Sequence, residues 1–232
     1  MGHFFTAILL LSSCGQLPND FDAKMQQYNL VDVTTLDDTI LVELKYSTTD
    51  NFVGVDMYGD LERAYFVRDF AAKVAEAQRI LQEHHPEYTL LIYDAARPIS
   101  VQRAMRRTVE GTAYESFVAD GTKGGRHNYG VAVDLTIATL DGKHLDMGAG
   151  FDHFGREAWI GTDKNTTLAS YKAYVEWQRK EGIISEEAAR NRTLLLEIMD
   201  AVGLRPYVKE WWHFQERISM TATRQKYKLL DF

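Results

Sequence analysis

Between residues 63 and 85, apolar side chains recur at Phe66, Phe70, Val74, Ala77 and Leu81, the spacing of a helix with one buried stripe. Pro86 ends that helix, because its ring blocks the backbone geometry and removes an N–H donor. The chain then runs directly into Thr89-Leu90-Leu91-Ile92-Tyr93, a short, strongly apolar run of the kind found in a buried strand. A striped helix leading straight into a buried strand calls for a sheet covered by helices, and the rest of the pattern fits around it.

Residues 39–44 read as a strand centred on Ile40-Leu41-Val42, followed by a loop through Thr48, Asp50, Asn51 and Gly54. Ser100 is placed to cap a helix running to about Thr108, and residues 121–125 form a loop. A strand over 130–137 leads to a hairpin turn at Asp141-Gly142. Helices are expected over 168–181 and 185–202, the second closed by Gly203, and a final strand over 207–214. This irregular alternation, with a hairpin-linked strand pair, predicts an α+β fold: a mostly antiparallel sheet flanked by helices. No repeat or composition break divides residues 23–232, which read as a single domain.

The N-terminus reads differently. Residues 4–11 form a short apolar run followed by Ser12, Ser13, Cys14 and Gly15. This resembles a bacterial lipoprotein signal, in which the cysteine becomes the lipidated first residue, although Met1-Gly2-His3 lacks the usual Lys or Arg. Residues 1–22 are therefore expected to be a signal plus polar spacer, with a lipid anchor at Cys14 and a cell-envelope or periplasmic location. Without a functional signal the expectation becomes cytoplasmic. Cys14 is the one cysteine, so an internal disulfide is excluded. No stretch approaches the roughly 20 apolar residues of a transmembrane helix. A net charge of −7 makes nucleic acid an unsuitable partner, since phosphate binding needs a basic surface.

Three clusters carry chemistry. In Gly124-Gly125-Arg126-His127-Asn128-Tyr129-Gly130-Val131-Ala132-Val133-Asp134, a histidine and an aspartate can offer nitrogen and oxygen to one metal ion. Their odd separation would put them on opposite faces of a straight strand, and Gly130 permits the bend that unites them. In Glu210-Trp211-Trp212-His213-Phe214, a carboxylate and an imidazole sit among large aromatics, where desolvation raises a Glu pKa into a range useful for proton transfer. In Tyr93-Asp94-Ala95-Ala96-Arg97-Pro98, an arginine at a strand end can stabilise developing negative charge. Taken singly, each has a plainer reading: a surface histidine beside an unrelated aspartate, a core strand with a solvent-facing Glu, a surface salt bridge.

Together they resemble the D-Ala-D-Ala dipeptidases of the vancomycin-resistance type, within the wider zinc D,D-peptidase family. Arg126 to Asp134 match that family's Ser-x-His-x-x-Gly-x-Ala-x-Asp from the residue before the histidine, and Glu210, Trp212 and His213 match its Glu-x-Trp-His. Tyr93, Asp94, Arg97 and Pro98 match its Arg-Pro block. The segment from Leu44 to Gly54 is similar to its Lys-Tyr-Ala-Thr-x-Asp-Asn-Phe-x-Gly, and Met147-Gly148 with Phe151-Asp152 to its Met-Gly-x-x-Phe-Asp. The resemblance implies the Hedgehog-like fold of that family and one zinc ion (Zn2+) per chain on His127, Asp134 and His213. It implies Glu210 as general base and acid, Arg97 as oxyanion stabiliser, and Tyr46 and Asp152 as contacts to a small D,D-dipeptide, Asp152 facing its ammonium group. The chain departs from the pattern where Gly125 replaces the leading serine, a substrate-contact position, which leaves the exact dipeptide open. Two alternatives share the same residues: a zinc D,D-carboxypeptidase acting on longer peptidoglycan stems, and a non-catalytic zinc domain that binds cell-wall peptides.

Overall fold

The computed structural model describes residues 21–232, so Cys14 and the rest of the expected signal lie outside the described residues. Helix α1 (Phe21–Gln27) is followed by strands β1 (Val31–Asp32), β2 (Leu41–Val42) and β3 (Tyr65–Phe66), then helix α2 (Arg68–His84), strand β4 (Tyr88–Asp94) and helix α3 (Ile99–Val109). A loop region with two 3-10 turns leads to β5 (Ala132–Thr139), and helices α4 (Leu168–Lys180) and α5 (Glu186–Ala201) follow. Strands β6 (Leu204–Tyr207) and β7 (Glu210–Glu216) and helix α6 (Met220–Lys226) complete an α+β architecture.

The central sheet has five strands in the order β2-β4-β5-β7-β6. β2 runs parallel to β4; the β4–β5, β5–β7 and β7–β6 pairs are antiparallel. A separate two-stranded ladder joins β1 to β3. β4 is buried along nearly its whole length, as its unbroken apolar run demands. The α2 stripe of Phe70, Val74, Ala77 and Leu81 is fully buried, each large side chain contributing about 1.5–3 kcal/mol by leaving water. Gln78 lies within that stripe and is satisfied there: its amide donates to Thr89 Oγ1 (3.0 Å) and its carbonyl accepts the Leu90 N–H (2.7 Å). The helix is thereby fixed to the start of β4.

Several boundaries differ from the sequence reading. Phe66 belongs to β3, because the ladder to β1 holds Tyr65 and Phe66 extended and α2 starts at Arg68. Ser100 does not cap α3: that helix starts at Ile99 behind Pro98, and the Ser100 hydroxyl donates to the Phe232 carbonyl. The strand expected at 39–44 is paired only at Leu41 and Val42. The strand expected at 207–214 is a hairpin of two, β6 and β7. Phe21 is buried against Tyr58 and Phe232, so the polar spacer gives way to the core before residue 22.

Candidate metal centre

Three adjacent strands bring acidic and basic groups into one row. Asp134 on β5 pairs across to His213 on β7. On its other side Asp134 faces Asp94, because the β4–β5 register shifts between Ile92 and Asp94. Such a bulge re-aims a side chain at a sheet end, and here it sets Asp94, Asp134 and His213 side by side. His127 comes from a 3-10 turn, His127–Tyr129, just before β5. The turn closes at Gly130, whose left-handed φ of 66° suits glycine. A Cβ there would also press on the Val67 nitrogen at 3.2 Å, and that N–H donates to the Gly130 carbonyl. The bend that the His127–Asp134 spacing requires is therefore a helical turn plus one left-handed residue, rather than a kink within a strand.

The imidazoles of His127 and His213 and the carboxylate of Asp134 offer one ligand atom each, all within 4.8 Å of one another. His127 Nε2 lies 3.2 Å from His213 Nδ1, which lies 2.9 Å from Asp134 Oδ1. The outer nitrogens are engaged elsewhere: His127 Nδ1 sits 2.7 Å from the Ala95 carbonyl and His213 Nε2 sits 3.1 Å from Gln215 Oε1. Both partners are acceptors, an arrangement that suits a proton on each outer nitrogen and leaves each inner nitrogen free to serve as a ligand once a metal binds. Burial alone would raise the Asp134 carboxyl, but His127 and His213 beside it hold it well below the usual aspartate range. Two imidazoles and a carboxylate form a donor set that fits a divalent cation of the zinc type and leaves coordination places for water or substrate.

Glu210 opens β7, and its Oε2 lies 3.8 Å from His213 Nδ1. Residues three apart should face opposite sides of a strand. The register shift between Pro206 and Tyr207, opposite Glu210, breaks that alternation and turns Glu210 toward His213. Burial pushes the Glu210 carboxyl above its ordinary range, and the Asp134 charge adds to the rise against the pull of His213. Arg97 follows β4 and is held on two sides. Its Nε donates to Asp94 Oδ2 at 3.1 Å, Nη2 donates to the same oxygen, and Nη1 donates to Gln102 Oε1 at 2.9 Å. Fully buried Asp94 also accepts from Tyr58 at 2.6 Å. Asp94 and Gln102 were given no role by the sequence reading, since nothing in their spacing announces that they orient an arginine.

Tyr46 is buried, stacks beneath the Arg97 guanidinium at 5.1 Å, and donates its hydroxyl to Asp152 Oδ2 at 2.8 Å. Asp152 adopts φ 57°, a conformation costly for a residue other than glycine, in the loop after β5. Burial, with Asp134 and Glu210 nearby, pushes its carboxyl well above the usual range despite the Tyr46 hydrogen bond. Tyr46, Arg97, His127, Asp134, Asp152, Glu210 and His213 all line one cavity of about 530 Å³, with Gly125 on its wall. All seven residues named from sequence for metal, catalysis and substrate contact thus meet in one place.

The sequence profile described as D-ala-D-ala dipeptidase matches residues 26–165 and 176–228. The chain is similar to the D-alanyl-D-alanine dipeptidase of Escherichia coli (strain K12), 32% identical over 186 residues that cover 80% of this chain and 83% of that protein. It is 28% identical over 198 residues to the D-alanyl-D-alanine dipeptidase of Synechocystis sp., covering 71% of this chain and 73% of the relative. A D-alanyl-D-alanine dipeptidase of Enterococcus faecalis is 29% identical over 191 residues, with 75% and 84% covered.

Proposed function

The chain belongs to the D-Ala-D-Ala dipeptidase family, and on that footing we propose that it hydrolyses D-alanyl-D-alanine, or a closely related D,D-dipeptide, to free amino acids using zinc held by His127, Asp134 and His213. The observation that carries this reading is the convergence of the three ligand atoms within 4.8 Å in a cavity that Glu210 and Arg97 also line. We take residues 23–232 as one catalytic domain of the Hedgehog-like, mostly antiparallel type.

A bound zinc ion would supply a water of lowered pKa and polarisation of the scissile carbonyl. The remaining work falls to the chain's own groups. Glu210, half-buried and with a raised pKa, takes the proton of the attacking water and delivers it to the leaving amine. Arg97 has five N–H groups, of which Asp94 and Gln102 engage some, leaving others for the carbonyl oxygen as it gains charge. Its orientation is set before substrate arrives, so little reorganisation is needed. Asp152, half-buried with Asp134 and Glu210 nearby, forms no salt bridge among the described residues, and the substrate's free ammonium group supplies that partner. Tyr46 holds the Asp152 carboxyl in place through its hydroxyl.

Recognition of that ammonium separates a dipeptidase from a carboxypeptidase that trims longer stems. The test is a panel of D-Ala-D-Ala, N-acetyl-D-Ala-D-Ala, and the L,D- and L,L-dipeptides, run with and without a chelator. Hydrolysis of the free D,D-dipeptide at a kcat/KM at least about a hundredfold above its N-acetyl form, abolished by chelation, is the expected result. Equal rates on the two would move the assignment to a carboxypeptidase. No hydrolysis of any would leave a binding domain.

The N-terminal pattern supports a lipid anchor through Cys14 and a place in the cell envelope. Mass spectrometry of membrane-extracted protein is expected to show a diacylglyceryl-modified Cys14 terminus; an unmodified Met1 terminus would contradict it.

A further inference from the structure

Across the sheet the cavity has two unlike ends. Tyr46 follows β2 at one edge, and its hydroxyl marks the Asp152 end. The metal-ligand pair Asp134 and His213 stands on β5 and β7, and β6 forms the opposite edge. There Arg205 pairs with Gln215, the residue two beyond His213 and so on the same face of β7. Arg205 and Gln215 both line the catalytic cavity.

Arg205 stands unlike the other arginines of this region. Its Nε is buried without a hydrogen-bond partner among the described residues. The nearby acceptors are committed elsewhere: both Glu216 oxygens take Lys73, at 2.7 and 2.8 Å, and Gln215 Oε1 meets His213. Arg217 is paired with Asp200, and Arg126 donates to Thr223 Oγ1 and the Ile218 carbonyl. Burial, and then the charge of Arg205, push the Arg126 guanidinium down to about 10, so two cations share this corner. A buried donor left unpaired is costly, and an anion relieves it. Gly125 beside them leaves the corner open, since a Cβ there would meet only Asn128 Oδ1 at 3.8 Å.

We infer that Arg205 is a specificity residue that binds a carboxylate of the leaving residue, at the end of the cavity opposite Asp152. Adjacent strands lie roughly 4.8 Å apart, and one residue of extended chain spans roughly 3.5 Å. A dipeptide whose ammonium faces Asp152 and whose carbonyl lies over Asp134 and His213 therefore directs its carboxylate toward β6. The guanidinium and the carboxylate form charge-assisted hydrogen bonds, and the negative end of the substrate settles between Arg205 and Arg126. This inference rests on the dipeptidase reading and adds the determinant of its C-terminal end.

The test uses zinc-loaded full-length protein carrying Glu210→Gln, so that ligands bind without turnover, and compares it with the same protein carrying Arg205→Gln or Arg205→Lys. Calorimetry with D-Ala-D-Ala and its C-terminal amide reads the α-carboxylate; D-Ala-D-Asp against D-Ala-D-Asn reads a side-chain carboxylate. Arg205→Gln is expected to weaken binding of the acid at least about tenfold while changing the amide less than about twofold, with Arg205→Lys recovering part of the loss. Loss of the D-Asp preference alone would support the same contact from the side chain. If Arg205→Gln leaves both acid-to-neutral ratios unchanged, the inference is overturned while the dipeptidase reading stands. If the parent protein binds none of these dipeptides and wild type hydrolyses none, both fall. Melting temperatures of the variants report folding, and the unpartnered Nε gives no reason for Arg205→Lys to unfold.

Discussion

Glu210→Gln is expected to lower kcat on D-Ala-D-Ala by about a thousandfold or more, with zinc content and substrate affinity close to wild type. General acid–base catalysis at one group typically contributes 10²–10⁴-fold, and the proposed mechanism calls on Glu210 twice, first for the water and then for the leaving amine. Glutamine keeps the volume and hydrogen-bonding shape beside His213, where Glu210 Oε2 lies 3.8 Å from Nδ1, but it cannot accept the proton. Because Glu210 is not among the three convergent ligand-type groups, metal should remain. Single-turnover rates with parallel metal analysis would check this. A near wild-type rate would remove Glu210 from the chemistry, and loss of metal would place it among the ligands instead.

Arg97→Ala should cost both activity and stability. Removing one preorganised oxyanion contact lowers turnover by about 10²–10³-fold. The same change strands Asp94, a fully buried carboxylate whose charge is balanced by Arg97. Breaking a buried pair from one side costs about 3 kcal/mol, which in a chain of this size lowers the melting temperature by roughly 6–12 °C. Pairing the change with Asp94→Asn removes the stranded charge. The double variant is therefore expected to recover much of the melting temperature and none of the turnover. Recovery of turnover as well would mean that Arg97 acts only as a support for Asp94.

The parts of this architecture that were legible in the sequence are those where a single physical demand repeats along the chain. Helix α2 could be read because its stripe recurs over about three turns, and β4 because every position from Leu90 to Tyr93 is buried. Strands β1, β2 and β3 are two residues each, too short to show any period. Strand β6 was hidden by its proline: Pro206 cannot donate to a ladder, yet an edge strand tolerates it because one side needs no partner. His127, Asp134 and His213 were legible as residue types able to hold a metal, and Gly130 as the point where the chain must turn. The groups that aim those ligands were not. Ala95 contributes a backbone carbonyl, and Asp94 gains its place from a register shift that no local pattern encodes. Arg205 escaped for the same reason: its meaning lies in which strand face it shares with Gln215.

The proposed hydrolysis requires His127, Asp134 and His213 to hold one divalent cation. Metal content per chain, measured by elemental mass spectrometry on wild type and on Asp134→Ala purified without added metal, tests that most directly. The predicted result is close to one zinc per wild-type chain and well under a tenth in Asp134→Ala, whose melting curve should still be that of a folded protein. Equal zinc in the two, or a wild-type chain that hydrolyses D-Ala-D-Ala with no metal bound, would contradict it.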